Sequence, residues 1–127
     1  MIFSSASTRT VTDRLGDLVR MDRSRVTQAT SGVPRTEKEI VASMRSEGLT
    51  PHGWGNAPGD RYDWHDHAYH KVLYCVRGSI IFHTDEGDLQ LAVGDRLDLP
   101  PGTRHAATVG DQGVRCVEAP RSVVAPP

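Results

Sequence analysis

The sequence has few of the features that mark several protein classes. Only two of its 127 residues are cysteine, so a scaffold held by several disulfides is excluded. No apolar run approaches the ~20 residues of a membrane-spanning helix. The formal net charge is −1, which leaves no basic excess for binding nucleic acid or an anionic membrane. The length and the hydrophobic fraction of 37% are instead typical of one domain with a modest core.

The first 33 residues differ in composition and hydrophobic pattern from the rest of the chain. They are rich in Ser, Thr and Arg, show little periodicity and lack the apolar region of a secretory signal. We expect residues 1–33 to form an arm that is flexible or exchanged between protomers, and residues 34–127 to form the folded domain. The last residues, 123–127, either pair as an edge strand or fray.

The two cysteines, Cys75 and Cys116, both lie in apolar runs that are typical of strands. Buried free thiols are the simpler interpretation, and a disulfide between them is the alternative. Free thiols predict a reducing compartment, so we expect a cytoplasmic protein.

Residues 36–51 carry the signals of a single helix. Thr36 and Glu39 have the spacing of a capping box, in which each residue's side chain satisfies the other's backbone N–H group. Ile40 and Met44 then place an apolar stripe on one face, and Gly48 is typical of the position just after a helix. We predict a helix over residues 37–47 that packs against the outside of a sheet.

From Leu49 onward, short apolar runs alternate with turn residues. The glycine-rich segment 53–59 is predicted as a loop, Gly78 as the end of one strand, and residues 85–88 as a hairpin turn. The predicted strands cover residues 72–76, 79–83, 89–93, 96–99, 103–109 and 114–119. Many short strands at close spacing indicate an all-β sandwich or barrel, here over about residues 51–119.

Three histidines in this region have the spacing of a metal site. His65 and His67 are two residues apart, so in an extended strand their side chains point to the same face. His105 follows the tight turn predicted at Pro100-Pro101-Gly102, at the start of another strand. Neutral imidazoles are ligands for divalent transition metals.

Two segments resemble the sequence motifs of the cupin family. The first contains Gly59, His65, His67, Lys71 and Gly78, and the second contains Gly94, Pro100, Gly102 and His105. The resemblance covers about residues 51–119. It implies a small cupin-type β-barrel, a jelly roll of two packed antiparallel sheets, with one N-terminal helix on the outside. It also implies a small-molecule substrate and a homodimer.

The resemblance further implies a divalent transition metal, one of Fe, Mn, Ni, Cu or Zn, bound by His65, His67 and His105. Two positions depart from the family pattern. Lys71 stands where the family has a glutamate ligand, and Val109 stands where it has a late asparagine.

Lys71 is difficult to reconcile with a metal. An ammonium ~5 Å from a divalent ion is repelled by roughly 6–7 kcal/mol at an effective dielectric constant of ~20. The amine could therefore be neutral, could turn toward a carboxylate in a structural salt bridge, or could bind an anionic substrate. We expect Lys71 to be a catalytic residue that orients the substrate or transfers a proton.

The cupins that lack the glutamate include three-histidine dioxygenases, so the resemblance implies a metal-dependent, dioxygenase-like enzyme acting on a small organic substrate. Isomerases and lyases share the scaffold. One alternative is a non-catalytic cupin that binds or senses a small ligand or a metal. Another is a metal-free pocket in which neutral Lys71 is a nucleophile.

Several neighbouring residues are further candidates. His70 has the opposite strand parity to His67, so it points away from the site unless the intervening chain is irregular. Leu73 and Cys75 share the face of Lys71 and form an apolar floor. Four aromatic residues either line the pocket mouth or pack, namely Tyr62, Trp64, Tyr69 and Tyr74. Arg96 and Arg104 are candidates to bind a carboxylate, and His52 and His83 are expected at the surface.

Overall fold

The computed structural model describes residues 24–29 and 35–121. These residues form one helix and seven strands. In chain order the elements are β1 (Arg25–Thr27), α1 (Glu37–Ser46), β2 (His52–Asn56), β3 (Arg61–His65), β4 (His70–Thr84), β5 (Gly87–Leu91), β6 (Arg96–Leu99) and β7 (His105–Arg121). The all-β architecture with one N-terminal helix is confirmed. None of the described residues forms a helix long and apolar enough to cross a membrane.

Helix α1 begins and ends as the sequence predicts. The Thr36 side chain accepts a hydrogen bond from the backbone N–H of Glu39 at 3.1 Å, and the Glu39 carboxylate accepts one from the N–H of Thr36 at 2.8 Å. Ile40 and Met44 are fully buried against the outer face of the sheet. Gly48, with φ +84°, lies just beyond the helix in a conformation that glycine adopts without strain.

The antiparallel pair β4–β7 forms the centre of the sheet. The strand order is β1-β6-β4-β7-β2, with β5 also paired to β4 and β3 also paired to β7. Each central strand is therefore bordered by partners that curl the sheet into the barrel. Apolar side chains on its concave face form the inner core, which includes Leu73, Ile80, Phe82, Leu97 and Val114.

Two predicted strand ends are wrong, because β4 and β7 are continuous strands of 15 and 17 residues. Gly78 does not end a strand. It has φ +74° and lies where the register of the β4–β7 pair shifts, between Cys75 and Ile80. A left-handed residue produces a β-bulge, which bends a strand without ending it. The predicted break after Val109 is likewise bridged within β7.

The predicted loop 53–59 is also partly wrong, because residues 52–56 form β2. This strand pairs with residues 114–118 of β7. Its glycines make room for a neighbour, since a Cβ atom at Gly53 would lie 2.5 Å from Nη2 of Arg115. The Arg115 guanidinium crosses that space and binds the carboxylate of Glu37 in α1 at 3.0 Å.

Part of the N-terminal arm is packed on the domain rather than free of it. Within the predicted arm, Arg25, Val26 and Thr27 form β1, which pairs with residues 96–98 of β6. The backbone N–H of Ala29 donates to the Asp95 carboxylate at 2.9 Å. Residues 1–23 and the predicted edge strand at 123–127 lie outside the described residues.

Cys75 and Cys116 face each other across β4 and β7 as fully buried, free thiols. The hydrogen bond between the two side chains lowers the pKa of Cys75. The same contact, together with burial, raises the pKa of Cys116. The two thiols belong to the inner core, so Cys75 does contribute to the apolar floor that its strand parity predicted.

Replacement of Gly78 should destabilise the fold more than replacement of other left-handed glycines. A Cβ atom there would lie 1.9 Å from the carbonyl oxygen of Gly113. We expect Gly78→Ala to lower the free energy of unfolding in urea by about 3 kcal/mol or more, of which the left-handed conformation accounts for ~1–2 kcal/mol. Gly59, with φ +78° and open space around it, is the matched control. Equal losses in Gly78→Ala and Gly59→Ala would show that the close approach does not matter.

Candidate metal centre

Two strands and one turn bring three histidines together. His65 ends β3 and lies directly opposite His105, the first residue of β7. His67 lies two residues beyond the end of β3, where its carbonyl accepts a hydrogen bond from the N–H of Gly102 at 2.8 Å. The three ring centroids are 4.4–5.3 Å apart. One ring nitrogen from each histidine lies within 4.8 Å of the others.

Backbone carbonyls orient two of the rings. Nδ1 of His65 lies 2.6 Å from the carbonyl oxygen of Asp63, and Nδ1 of His105 lies 2.8 Å from that of Thr103. Because a carbonyl only accepts hydrogen bonds, each Nδ1 carries the proton and each Nε2 keeps its lone pair. The main chain therefore favours the tautomer that leaves the Nε2 lone pair available to a metal.

Two ring nitrogens of this cluster are buried without partners. Nε2 of His67 and Nε2 of His105 have no hydrogen-bond partner among the described residues. Burial of an unpaired polar atom costs free energy, so such atoms point to a missing ligand. Lone pairs that converge on one point suit a metal ion, and the residues present therefore fit the implied group.

The surroundings of His67 and His105 favour the neutral form of these two imidazoles. Burial lowers the pKa of His105, and the nearby His65 and Lys71 lower it further against the opposing hydrogen bond to Thr103. Burial likewise lowers the pKa of His67, again assisted by Lys71 and His65. Neutral imidazole is the form that binds metal, so His67 and His105 need not lose a proton before an ion could bind near pH 7.

A cavity of about 230 Å³ opens beside the histidines. Its lining combines apolar walls with a few polar groups, and it consists of Trp54, Tyr62, His65, Lys71, Phe82, His105, Ala107 and Glu118. The Phe82 ring lies 6.2 Å from that of His105 and forms part of the apolar floor. An apolar pocket with a few converging polar groups is typical of a small-molecule site.

Lys71 forms an ion pair inside this cavity. Its Nζ atom lies 3.5 Å from Oε1 of Glu118, and only 11% of the Lys71 side chain and 15% of the Glu118 side chain are exposed. Of the three arrangements considered for Lys71, the structure shows the one in which the amine turns toward a carboxylate. Trp54 completes the group, since its indole N–H donates to the same Oε1 atom at 2.8 Å.

Sequence reasoning missed both Glu118 and Trp54. A signal for Glu118 was present, because it shares strand parity with Val114 and Cys116, two apolar residues of the inner core. An acidic residue on an otherwise apolar strand face indicates a functional or paired group. Trp54 had no such signal, because the strand that carries it was predicted as a loop.

Most of the other candidates lie outside the cluster. His70 binds Asp98 at 2.9 Å, and Arg96 binds the same carboxylate and that of Glu47. Tyr74 packs in the outer core near α1. The Arg96 guanidinium is therefore already occupied, and His70 does not join the three histidines.

Tyr69 contacts the histidine cluster, whereas Trp64 and Arg104 contact each other. The Tyr69 ring stacks on that of His67 at 4.8 Å, and the Arg104 guanidinium lies 4.4 Å from the centre of the Trp64 ring. His83 does not join the cluster, since its two ring nitrogens contact Asp88 and Thr108. His52 is exposed on β2.

The barrel and its histidine cluster define a double-stranded β-helix protein with a pocket lined by residues of the barrel strands. The family model described as a cupin domain matches residues 52–119. The chain therefore belongs to the cupin family, as its two motifs indicated.

Comparisons with individual proteins support the same fold. A quercetin 2,3-dioxygenase from Bacillus subtilis is 41% identical over 49 residues, which are 38% of this chain and 14% of that enzyme. A crystal structure of a DUF861 family protein from Thermotoga maritima matches 76% of this chain and 97% of its own, with 15% identity and a TM-score of 0.52. A structure from work on two DMSP lyases matches with 29% identity and a TM-score of 0.50, covering 59% of this chain and 38% of its own. The chain thus spans a small part of the dioxygenase and less than half of the lyase chain.

Acidification should destabilise the chelator-treated protein through the cluster. Because folding lowers the pKa values of His67 and His105 below 6.5, the unfolded chain binds more protons as the pH falls below that value. The free energy of unfolding then decreases as the pH falls from 6.5 toward the lowered pKa values. The decrease is up to ~1.4 kcal/mol for each unit by which folding lowers a pKa. We expect the free energy of unfolding in urea to fall less between about pH 7.5 and pH 5 in a His67→Gln/His105→Gln variant than in the unsubstituted protein. An unchanged pH dependence would contradict the assignment.

Proposed function

We propose that this cupin is a metal-dependent, dioxygenase-like enzyme acting on a small organic anion, with His65, His67 and His105 as the metal ligands. The observation that carries the proposal is the pair of buried Nε2 atoms, on His67 and His105, without partners in the described part of the chain. Two of the three histidines, His65 and His105, line the adjoining cavity, so a substrate bound there would lie next to the ion.

Three imidazole ligands leave open positions on Fe, Mn, Ni, Cu or Zn. An ion held there would polarise a bound substrate and, if it is redox-active, would mediate its reaction with dioxygen. The ligand set carries no charge, since the family's glutamate is absent. An anionic substrate therefore supplies the negative charge that the protein ligands do not.

The chain's own residues bind and orient that substrate. Phe82 and Ala107 provide apolar walls that exclude water, which strengthens the electrostatic interactions within the site. Lys71 would bind the anionic group and fix its orientation beside the histidines. The ion pair with Glu118 argues against Lys71 as a nucleophile, because Schiff-base formation needs a neutral amine.

The likeness to quercetin 2,3-dioxygenase supports an oxidative reaction, although it extends over 49 residues. The 29% identity to a chain from the DMSP lyase work supports a second candidate, a metal-dependent lyase that consumes no oxygen. Both reactions would use the same three histidines and the same cavity, so the two candidates differ in whether dioxygen is consumed.

We also propose a homodimer in a reducing, cytoplasmic compartment. The outer edge of β3 has no strand partner among the described residues, and every residue of that strand is exposed. An unpaired edge is a site at which a second copy can add. The buried free thiols Cys75 and Cys116 suit a reducing compartment. Light scattering measures the solution mass, and a monomer at all concentrations would rule out the dimer.

Metal binding should depend on the cluster and not on histidine content. We expect the purified protein to contain about one transition-metal ion per chain by elemental analysis, and His105→Ala to lose it because a buried ligand is removed. His52→Ala, which changes an exposed histidine on β2, is the matched control and should keep the metal. Equal metal content in all three proteins would contradict the proposed ligands.

Oxygen uptake should separate the candidate activities. We expect the metal-loaded protein to consume dioxygen with at least one member of a panel of small carboxylic acids, diketones and phenols, and His105→Ala to lose that activity by ~10²-fold or more. Substrate turnover without oxygen uptake would favour the lyase. Metal binding with no turnover across the panel would favour a sensing or binding module.

A further inference from the structure

Lys71 is a buried cation with an incomplete set of partners. An ammonium group has three N–H donors, and charge-assisted hydrogen bonds are normally ~2.7–2.9 Å long. The contact from Nζ to Glu118 is longer, at 3.5 Å, and across residues 24–29 and 35–121 the Lys71 ammonium has no shorter contact to an acceptor. A mostly buried charge with free donors needs a further acceptor, and the cavity that Lys71 lines is where one can bind.

Glu118 is held in place without Lys71. Its Oε1 atom accepts a hydrogen bond from the Trp54 indole at 2.8 Å, which is a full hydrogen bond and shorter than the contact to Lys71. The Trp54 ring is itself positioned by an edge-on contact with Tyr62 at 5.9 Å. The carboxylate can therefore keep its place on β7 if Lys71 turns to another anion.

We propose that Glu118 is an internal stand-in for the substrate's carboxylate, and that the cavity takes a small monocarboxylate with an apolar body. On binding, the ligand carboxylate becomes the nearest anion to Lys71, while Trp54 keeps Glu118 on the cavity wall. The inference rests on the proposed function for the location of the substrate. It requires no metal, because every group that it uses belongs to the chain.

The lining of the cavity sets the ligand class. Lys71 is the one Lys or Arg among the lining residues, so there is one site for one carboxylate, and a second negative group would face Glu118. The remaining walls are apolar or aromatic, including Phe82, Ala107 and Trp54. The volume of about 230 Å³ is below the ~300–1,000 Å³ of pockets for drug-sized ligands, which suits a short-chain or single-ring acid.

The two members of the ion pair should have opposite effects on ligand binding. Glu118 competes with the ligand for Lys71, so its neutralisation should strengthen binding. Lys71 binds the ligand directly, so its removal should weaken binding. A purely structural ion pair predicts a different result, because loss of either partner would disturb the pocket in the same direction.

The test is calorimetric titration of the full chain, as purified and after chelator treatment, with benzoate and its neutral analogue benzamide. A Trp64→Phe background leaves Trp54 as the single tryptophan, so indole fluorescence reports independently on the cavity. The variants are Glu118→Gln, whose amide oxygen can still accept from Trp54, and Lys71→Met, which keeps the aliphatic stem. Thermal unfolding checks that each variant is folded.

We expect benzoate to bind and benzamide to bind at least about tenfold more weakly, the scale of one hydrogen bond between charged groups. Glu118→Gln should bind benzoate several-fold to about tenfold more tightly, and Lys71→Met at least about tenfold more weakly. If Lys71→Met does not fold, the gain in Glu118→Gln and the preference for benzoate over benzamide still decide the question.

Equal binding of benzoate and benzamide, no binding of benzoate, or weaker binding in Glu118→Gln would overturn the proposal. These results are separable from the metal proposal. Elemental analysis tests the histidines, whereas benzoate binding that persists in the chelated protein tests Lys71 and Glu118 alone. A protein without metal that binds benzoate as expected would refute the metal-dependent function and keep this inference.

Discussion

The antiparallel pairing of β4 with β7 is the constraint on which the rest of the molecule depends. These two strands supply both halves of the Lys71–Glu118 pair, both buried thiols, and the register that places Thr84 opposite His105. All the other strands but β1 bond directly to one of the two. The β4–β7 ladder therefore determines where the polar groups of the cavity lie, and the bulge near Gly78 determines how the two strands bend.

The two faces of this ladder pack against different parts of the molecule. The outer face carries Val72, Tyr74 and Val117, which pack against Ile40 and Met44 of α1. The inner face carries the apolar core and the cavity. Because strand side chains alternate between faces, the neighbouring residues His70 and Lys71 lie in different environments. His70 is hydrogen-bonded to Asp98, and Lys71 lies beside the histidines.

The cupin fold, helix α1 and the convergence of the three histidines could be predicted from sequence, because each rests on local signals. The capping box at Thr36 and Glu39 needs only nearby residues, and the family motifs carry the histidines. The continuity of β4 and β7 could not be predicted, since a left-handed glycine in a bulge resembles one in a turn. Strand β2 was missed because its stability comes from pairing with β7 and not from its own glycine-rich composition. The partner of Lys71 was missed because it lies 47 positions away, on a strand whose register only the structure gives.

The orientation of His65 and His105 by carbonyl oxygens has a consequence for how this site can change over evolutionary time. The two supporting groups belong to residues 63 and 103, yet neither involves a side chain. Substitutions at these positions that preserve the backbone path leave both anchors intact. A search for side chains that co-vary with these two histidines would therefore find few. The groups that orient the rings are backbone carbonyls, which remain when the side chains at those positions change.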